Sequence, residues 1–165
     1  MLDLEIDKLT NSIENTITGE VFETSVLPFQ GERKGFNKKD WLFDWKVECK
    51  DSSRKVFKLV TSQNRYIIQG LISFSDNHDH IFMHLIESAR FNKGPQKLYL
   101  GVAGNLIAYA CLYSFDLGYD GIVVFDSKTM LINHYQQALG AKQLAGNRLF
   151  IDTKESNQLV KRYFP

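Results

Sequence analysis

Cysteine is scarce: Cys49 and Cys111 are the only two in a chain of 165 residues. Two thiols make no disulfide framework, and no CxxC or Cys/His cluster signals zinc. A reduced, cytoplasmic setting is the expectation. Proline is nearly as rare, at three residues, and no repeat or low-complexity stretch divides the chain. One domain over residues 1–165 is therefore expected. No apolar run of about 18 uncharged residues occurs, so no helical membrane span is expected. The opening MLDLEIDKLTNSIEN is acidic and lacks the basic-then-apolar layout of a signal peptide. An excess of either charge is also missing: 20 Lys and Arg against 19 Asp and Glu leave a net +1. Bulk charge thus gives no indication of nucleic acid, and only local basic patches could do so. What is present is an ordinary globular composition, 44% hydrophobic, in a chain long enough to bury roughly 70% of its unfolded surface.

The first half reads as β. VFETSVLPF (21–29) alternates, and KVFKLVTS (55–62), YIIQGLISFS (66–75) and HIFMHLIES (80–88) are three further strands in series. SQNR and DNHD between them suit tight turns of an antiparallel meander. GERKGFNKKD (31–40) is a polar, glycine-bearing loop. WLFDWKVEC (41–49) fits a short helix or a strand. After residue 88 the pattern changes. ARFNKGPQK (89–97) is a basic loop, and residues 102–117 have helical length with apolar residues on every side, as in a helix packed on a sheet. GIVVF (121–125) is a short strand needing cover on both faces. KTMLINHYQQAL (128–139) has helical spacing and ends at Gly140, a suitable C′ residue. RLFID (148–152) is a last strand, and ESNQLVKRYF (155–164) fits a terminal helix. The fold class is α+β around one central sheet.

Within YLGVAGNLI, Gly101 and Gly104 sit where the 102–117 helix begins. A helix start carries unpartnered N–H groups and a partial positive charge, which together attract phosphate. Arg90, Lys93 and Lys97 precede it, and no acidic residue occurs from 89 to 115. The sequence supports two readings, a pyrophosphate cradle with a basic rim or a close helix–sheet contact that needs small residues. GxGxxG and the P-loop pattern are both absent.

The order of elements resembles the GNAT superfamily of N-acetyltransferases. That family's phosphate loop reads Gln/Arg-x-x-Gly-x-Gly/Ala before a helix with an apolar pair. Here Gly101 and Ala103 match, Leu106 and Ile107 supply the pair, and Leu98 stands at the Gln/Arg position. HYQQALGA after GIVVF is similar to the family's LYEKLGF. The resemblance covers roughly residues 55–152. It implies a central mixed, mostly antiparallel sheet flanked by helices, with a splay between strands four and five. The cofactor half would span about 80–152, and residues 1–54 would form the acceptor side.

The resemblance further implies acetyl-CoA as cosubstrate. Its pantetheine arm would run along strand four at Ile86, Glu87 and Ser88. Its pyrophosphate would meet Leu98, Gly101, Val102, Ala103, Gly104 and Asn105, with Lys128 nearby. Tyr135 would be the acid for the thiolate, since a phenol near pKa 10 lies close to a thiol. Counting back from Gly140, however, the family tyrosine falls on Gln136, and a one-residue insertion would restore Tyr135. Glu87 would be the base, in an apolar cleft that raises its pKa. Strand alternation puts His84 opposite Glu87 unless a bulge intervenes. His134 lies about 100° round the helix from Tyr135 and is a weaker acid/base candidate. His78 and His80 read as a polar turn more readily than as a metal site. Cys111 reads as core, and Trp41, Phe43, Trp45 and Phe91 as core or acceptor pocket.

The leading expectation is an N-acetyltransferase acting on a small-molecule or peptide amine, monomeric or homodimeric, with no membrane and no nucleic-acid partner. A catalytically inactive GNAT-like module that binds CoA or a protein is the alternative, favoured by Leu98 and the shifted Tyr135. A protein acting on charged tRNA is a third reading, resting on the basic 90–97 loop alone.

Overall fold

Alternating apolar residues between Thr24 and Ser88 form four consecutive antiparallel strands in the computed structural model, which describes all of residues 1–165. Two short strands come first, β1 (Ile13–Asn15) and β2 (Val21–Phe22), followed by β3 (Thr24–Pro28) and the helix α1 (Trp45–Lys50). The meander continues with β4 (Lys55–Thr61), β5 (Gly70–Asp76) and β6 (Ile81–Ser88). Then come β7 (Tyr99–Leu100), α2 (Val102–Asp116), β8 (Val123–Asp126) and α3 (Ile132–Leu139). The hairpin β9 (Lys142–Ala145) and β10 (Arg148–Ile151) leads into α4 (Thr153–Tyr163). The seven-stranded sheet has the order β3-β4-β5-β6-β8-β10-β9, and β2-β1-β7 form a small second sheet. All pairs are antiparallel except β6 with β8, so the sheet is mixed and mostly antiparallel.

Local chemistry explains the helix ends. Asp44 caps α1 by accepting from Val47 N–H, and Asp152 caps α4 by accepting from Glu155 N–H. Gly140 ends α3 in the left-handed region at φ 67°, the conformation a C′ glycine supplies. The 41–49 stretch resolves as loop followed by α1, because the Asp44 cap starts a helix just before Trp45. β5 begins at Gly70, not at residue 66, and Tyr66 and Ile67 are exposed. The strand expected over 21–29 divides at Glu23 into β2 and β3, while β1, β7 and β9 had no clear signal in the sequence; they are only two to four residues long.

The main core lies between the sheet and α2, α3 and α4, and it also takes in Leu2 and Ile6. α2 is apolar all round because the sheet covers one side and α4 the other, with Val102 and Leu106 seated against Gly70 of β5. A second, smaller core of Phe29, Phe36, Trp45, Val56, Ile68 and Leu71 forms on the opposite face under α1. β8 is covered on both faces, with Val123, Val124 and Phe125 all buried.

A bulge interrupts β6. Ser73 faces Leu85 while Phe74 faces Met83, which leaves His84 as the extra residue. The alternation shifts there, so Leu85 and Glu87 contact the smaller-core side on which His84 stacks against Phe82. His84 and Glu87 therefore share a face, contrary to simple alternation. His84 Nε2 lies 2.8 Å from Ser75 Oγ, and burial, with Arg54 next, lowers its pKa to about 4.

The unfolded chain takes up this proton near pH 6.5, the folded chain only near 4, so stability falls as pH drops through that window. Melting midpoints measured at half-unit steps from pH 7 to 4.5 should fall more steeply for the wild type than for His84→Gln. Parallel curves would exclude His84 as the source of the acid slope.

Candidate active site

β6 and β8 run together for only three pairs, Ile81–Val123, Phe82–Val124 and Met83–Phe125. Beyond the bulge β6 stays with β5 up to Ser88 and parts from β8. This is the expected splay between the fourth and fifth strands of the main sheet. Ile86 and Ser88 are buried along its β6 side.

Residues 2–7 run along that splay from β8 past α3 to the start of α2. Ile81 N–H donates to the Ile122 carbonyl, so the even-numbered carbonyls of β8 face β6. Leu2 N–H bonds the next but one of these, Asp126 O, at 2.6 Å, and Lys128 N–H donates to Leu2 O at 3.0 Å. Leu2 thus takes the place that β6 vacates, bridging Ser127 in parallel. Leu4 O then accepts from the Tyr135 hydroxyl at 2.5 Å, and Ile6 N–H donates to His134 Nε2 at 2.8 Å. The 100° between Tyr135 and His134 on α3 matches two successive carbonyl and amide positions of one extended strap.

The strap next reaches the start of α2. Asp7 Oδ1 accepts from Gly101 N–H at 3.2 Å, and Asp7 Oδ2 pairs with Lys97 Nζ at 3.2 Å. Gly101 is left-handed at φ 90°, and a Cβ there would fall on Thr10 Oγ1 and the Ser12 carbonyl. A Cβ on Gly104 would meet the Tyr163 hydroxyl and Leu9. The two glycines are therefore explained by close approach of the chain's own residues, the second of the two readings. Val102, Ala103 and Asn105 are buried, and Asn105 Nδ2 turns to Thr24 Oγ1 at 3.0 Å, toward the sheet and away from the groove. Leu98 is exposed, and only its backbone is engaged, with Phe91 O and Thr16 N–H. Lys128 pairs with Asp3 at 2.5 Å. Residues 1–54 were expected on the acceptor side. Residues 2–7 bond to β8, α3 and the start of α2, elements of the 80–152 half, and LDLEID carried the signal for an extended segment in its strict apolar–acidic alternation.

Glu87 is nearly inaccessible, at 2% exposure. Its Oε1 accepts from Phe43 N–H and Trp45 Nε1, and its Oε2 from Leu42 N–H and Lys93 Nζ. A carboxylate offers about four acceptor positions, so none remains to take a proton from an amine. The geometry makes Glu87 the anchor of loop 41–45, in place of the expected base. Tyr135 is buried with its ring edge-on to Phe125 at 5.3 Å between centroids. Burial raises its pKa well above 10, so it is a proton donor and not a base at neutral pH. Burial also pushes the Cys111 thiol up to about 12 and the Cys49 thiol up to about 11, which removes both as nucleophiles. His80 pairs with Asp79 in an exposed turn. No group of three or more His, Cys, Asp or Glu side chains converges. Trp45 is core, while Trp41 and Phe91 join Tyr66 and Arg90 around a cavity of about 380 Å³.

The donor set suits an acyl-CoA: the β6 backbone past the bulge, amides at the start of α2 with Lys97 beside them, and Lys128 at the β8 end. The room it would need is taken by residues 2–7.

No protein-family model matches the chain, and no curated protein matches it. Solved structures do. AtaT complexed with acetyl-methionyl-tRNAfMet is 11% identical with a TM-score of 0.59, covering 83% of this chain and 99% of that one. A KacTA–DNA complex is 15% identical with a TM-score of 0.55, covering 84% and 99%. AtaTR bound with acetyl-CoA is 9% identical with a TM-score of 0.56, covering 83% and 98%. At such identities the likeness is one of fold alone, a GNAT-like α+β fold shared with these proteins. These complexes also correct the expectation of a small-molecule or peptide acceptor with no nucleic-acid partner. Proteins of this fold are found with tRNA and with DNA, and a net +1 averages over faces that can differ in sign.

Two substitutions check the geometry. Gly101→Ala should lower the melting midpoint by about 4–8 °C, from roughly 2 kcal/mol of left-handed strain and overlap. Glu87→Ala should cost about 3 kcal/mol in urea denaturation, because it strands the buried Trp45 indole N–H, two partly buried amides and the half-buried Lys93 ammonium. A change below about 1 kcal/mol at Glu87 would return it to the list of bases.

Proposed function

We propose that the chain is an acetyltransferase that draws on acetyl-CoA and acetylates a primary amine carried by a nucleic acid, an aminoacyl group being the simplest case. The observation that carries this reading is the splay after Met83 and Phe125, with the Tyr135 hydroxyl directed into it. The fold it shares with AtaT, solved with acetyl-methionyl-tRNAfMet, supports the acceptor class.

Bound acetyl-CoA would supply an activated acetyl thioester. The chain's own residues supply the rest. The β6 backbone at Ile86, Glu87 and Ser88 would hold the pantetheine arm. The amides of Gly101, Val102 and Ala103 would hold the phosphates, with Gly104 and Asn105 in the following turn and Lys97 and Lys128 as counter-charges. Leu98 would contribute backbone alone. Tyr135 would give its proton to the departing sulfur; burial, which holds that proton on the phenol, works against this step until the site opens. On the other side, exposed Tyr66 lies under Lys34 Nζ at 3.9 Å from the ring centre, beside Trp41 and Arg90. Aromatic faces interleaved with cations suit an unpaired nucleotide end, which stacks on the rings while its phosphates meet the lysines.

A second reading keeps the fold without transfer. It is favoured by the strap in the groove, and it makes the protein a binding module.

Wild type incubated with acetyl-labelled acetyl-CoA and charged tRNA should place label on the charged tRNA and not on uncharged tRNA. Tyr135→Phe should slow this about 10²-fold while retaining the fold. Label left entirely in acetyl-CoA, with folded protein in excess, would sink the enzyme and favour the module.

A further inference from the structure

We infer that residues 2–10 are an internal strap that closes the acyl-CoA groove and must leave it for the ligand to enter. The inference rests on the acetyl-CoA reading above and goes beyond it, because it assigns this segment a regulatory role at that site.

Three separate contacts lie along one path. At the sheet end, Leu2 replaces β6 as the partner of β8, through Asp126 O and Lys128 N–H. In the middle, Leu4 O uses the hydroxyl of Tyr135, the one proton donor that faces the splay. At the helix end, the Asp7 carboxylate bonds Gly101 N–H and pairs with Lys97. An anion is the ligand that a helix start attracts, so Asp7 stands where a phosphate would be held. Asp3 likewise occupies Lys128. The strap therefore presents backbone and apolar groups to the strands and carboxylates to the cations. It matches the groove as an apolar arm ending in phosphates would. Both occupants need the same donors, so binding of one excludes the other.

The attachment is reversible by construction. Its ion pairs Lys97–Asp7 and Lys128–Asp3 are partly exposed, and such pairs are weak. The apolar anchors are Leu2 and Ile6, which are buried, and Leu4 and Leu9, which are partly buried. Just past Asp7 the strap borders a surface depression of about 720 Å³ with Lys161 and Arg162 in its wall. A polyanionic ligand could begin to displace the strap from that end. Opening of one short segment is the kind of local event that costs far less than global unfolding.

The apparent affinity of the groove for its ligand then falls by the fraction of molecules that are open. Asp7→Asn removes the charge at the start of α2 and should raise that fraction. The test is hydrogen exchange on the chain of residues 1–165 with and without coenzyme A, together with calorimetric titration of wild type and Asp7→Asn. Coenzyme A should speed exchange in residues 2–10 at least about fivefold while slowing it in 101–105, and Asp7→Asn should bind about tenfold more tightly. Should Asp7→Asn not fold, the opposed exchange signs in the wild type still decide the matter. If coenzyme A binds but residues 2–10 are protected or unmoved, the strap is overturned and the acetyl-CoA reading survives. If neither protein binds coenzyme A although exchange in 2–10 is faster in Asp7→Asn, the groove takes no CoA, and both readings fall.

Discussion

Two parallel strands that part inside a sheet leave backbone donors and acceptors without partners, and buried polar groups of that kind are costly. That constraint organises this molecule. β6 and β8 separate after Met83 and Phe125, and something must meet the freed edges. Here the partner is the chain itself: Leu2 bonds the edge of β8, and the residues after it bridge to α3 and then to the start of α2. The same segment adds Leu2 and Ile6 to the main core. Splay, strap and core are therefore mutually dependent, since the splay gives the strap its bed and the strap seals the splay.

The strap also fixes the residues around it. Gly101 must be glycine because Thr10 and Ser12 press on it, and Gly104 because Tyr163 and Leu9 do. Tyr163 joins α4 to this arrangement, since its hydroxyl accepts from Thr10 N–H at 2.9 Å. Glu87 plays the matching part on the opposite face of β6. By holding Leu42, Phe43, Trp45 and Lys93 together it shapes the loop beside Trp41, Tyr66 and Arg90. The bulge at His84 permits this, because without the shift in alternation Glu87 would point at α2.

Much of the frame was legible in the sequence. Strand-like runs between turn signals gave β4 and β6, helical spacing gave α3, and unbroken apolar runs of helix and strand length gave α2 and β8, which are covered on more than one side. The left-handed stop at Gly140 was legible for the same local reason. What escaped was structure imposed from a distance. LDLEID has the alternation of a strand, but with acidic residues at every second position it looks like a solvated leader until Lys97 and Lys128 are seen beside it. Glu87 looked like a base because its four donors come from residues about 45 positions earlier and from Lys93, none of which a strand pattern reveals. The glycines at α2 were visible as requiring close approach, but sequence alone could not say what approached.

Leu98 then has a physical account. A loop that holds phosphates can be kept in shape by a polar side chain reaching into it, and here Asn92, not residue 98, supplies one, its Oδ1 accepting from Tyr99 N–H at 3.2 Å. The loop is also pinned through its backbone. β7 pairs with β1 at Glu14–Leu100 and Asn15–Tyr99, and Leu98 O accepts from Thr16 N–H. β1 is the continuation of the strap. The segment that fills the groove at residues 2–10 therefore also sets the loop at 98–100, and β1 remains paired there if residues 2–10 alone move away. A leucine at 98 is tolerated because its side chain has no part in holding the loop, so its presence there does not argue against a phosphate site.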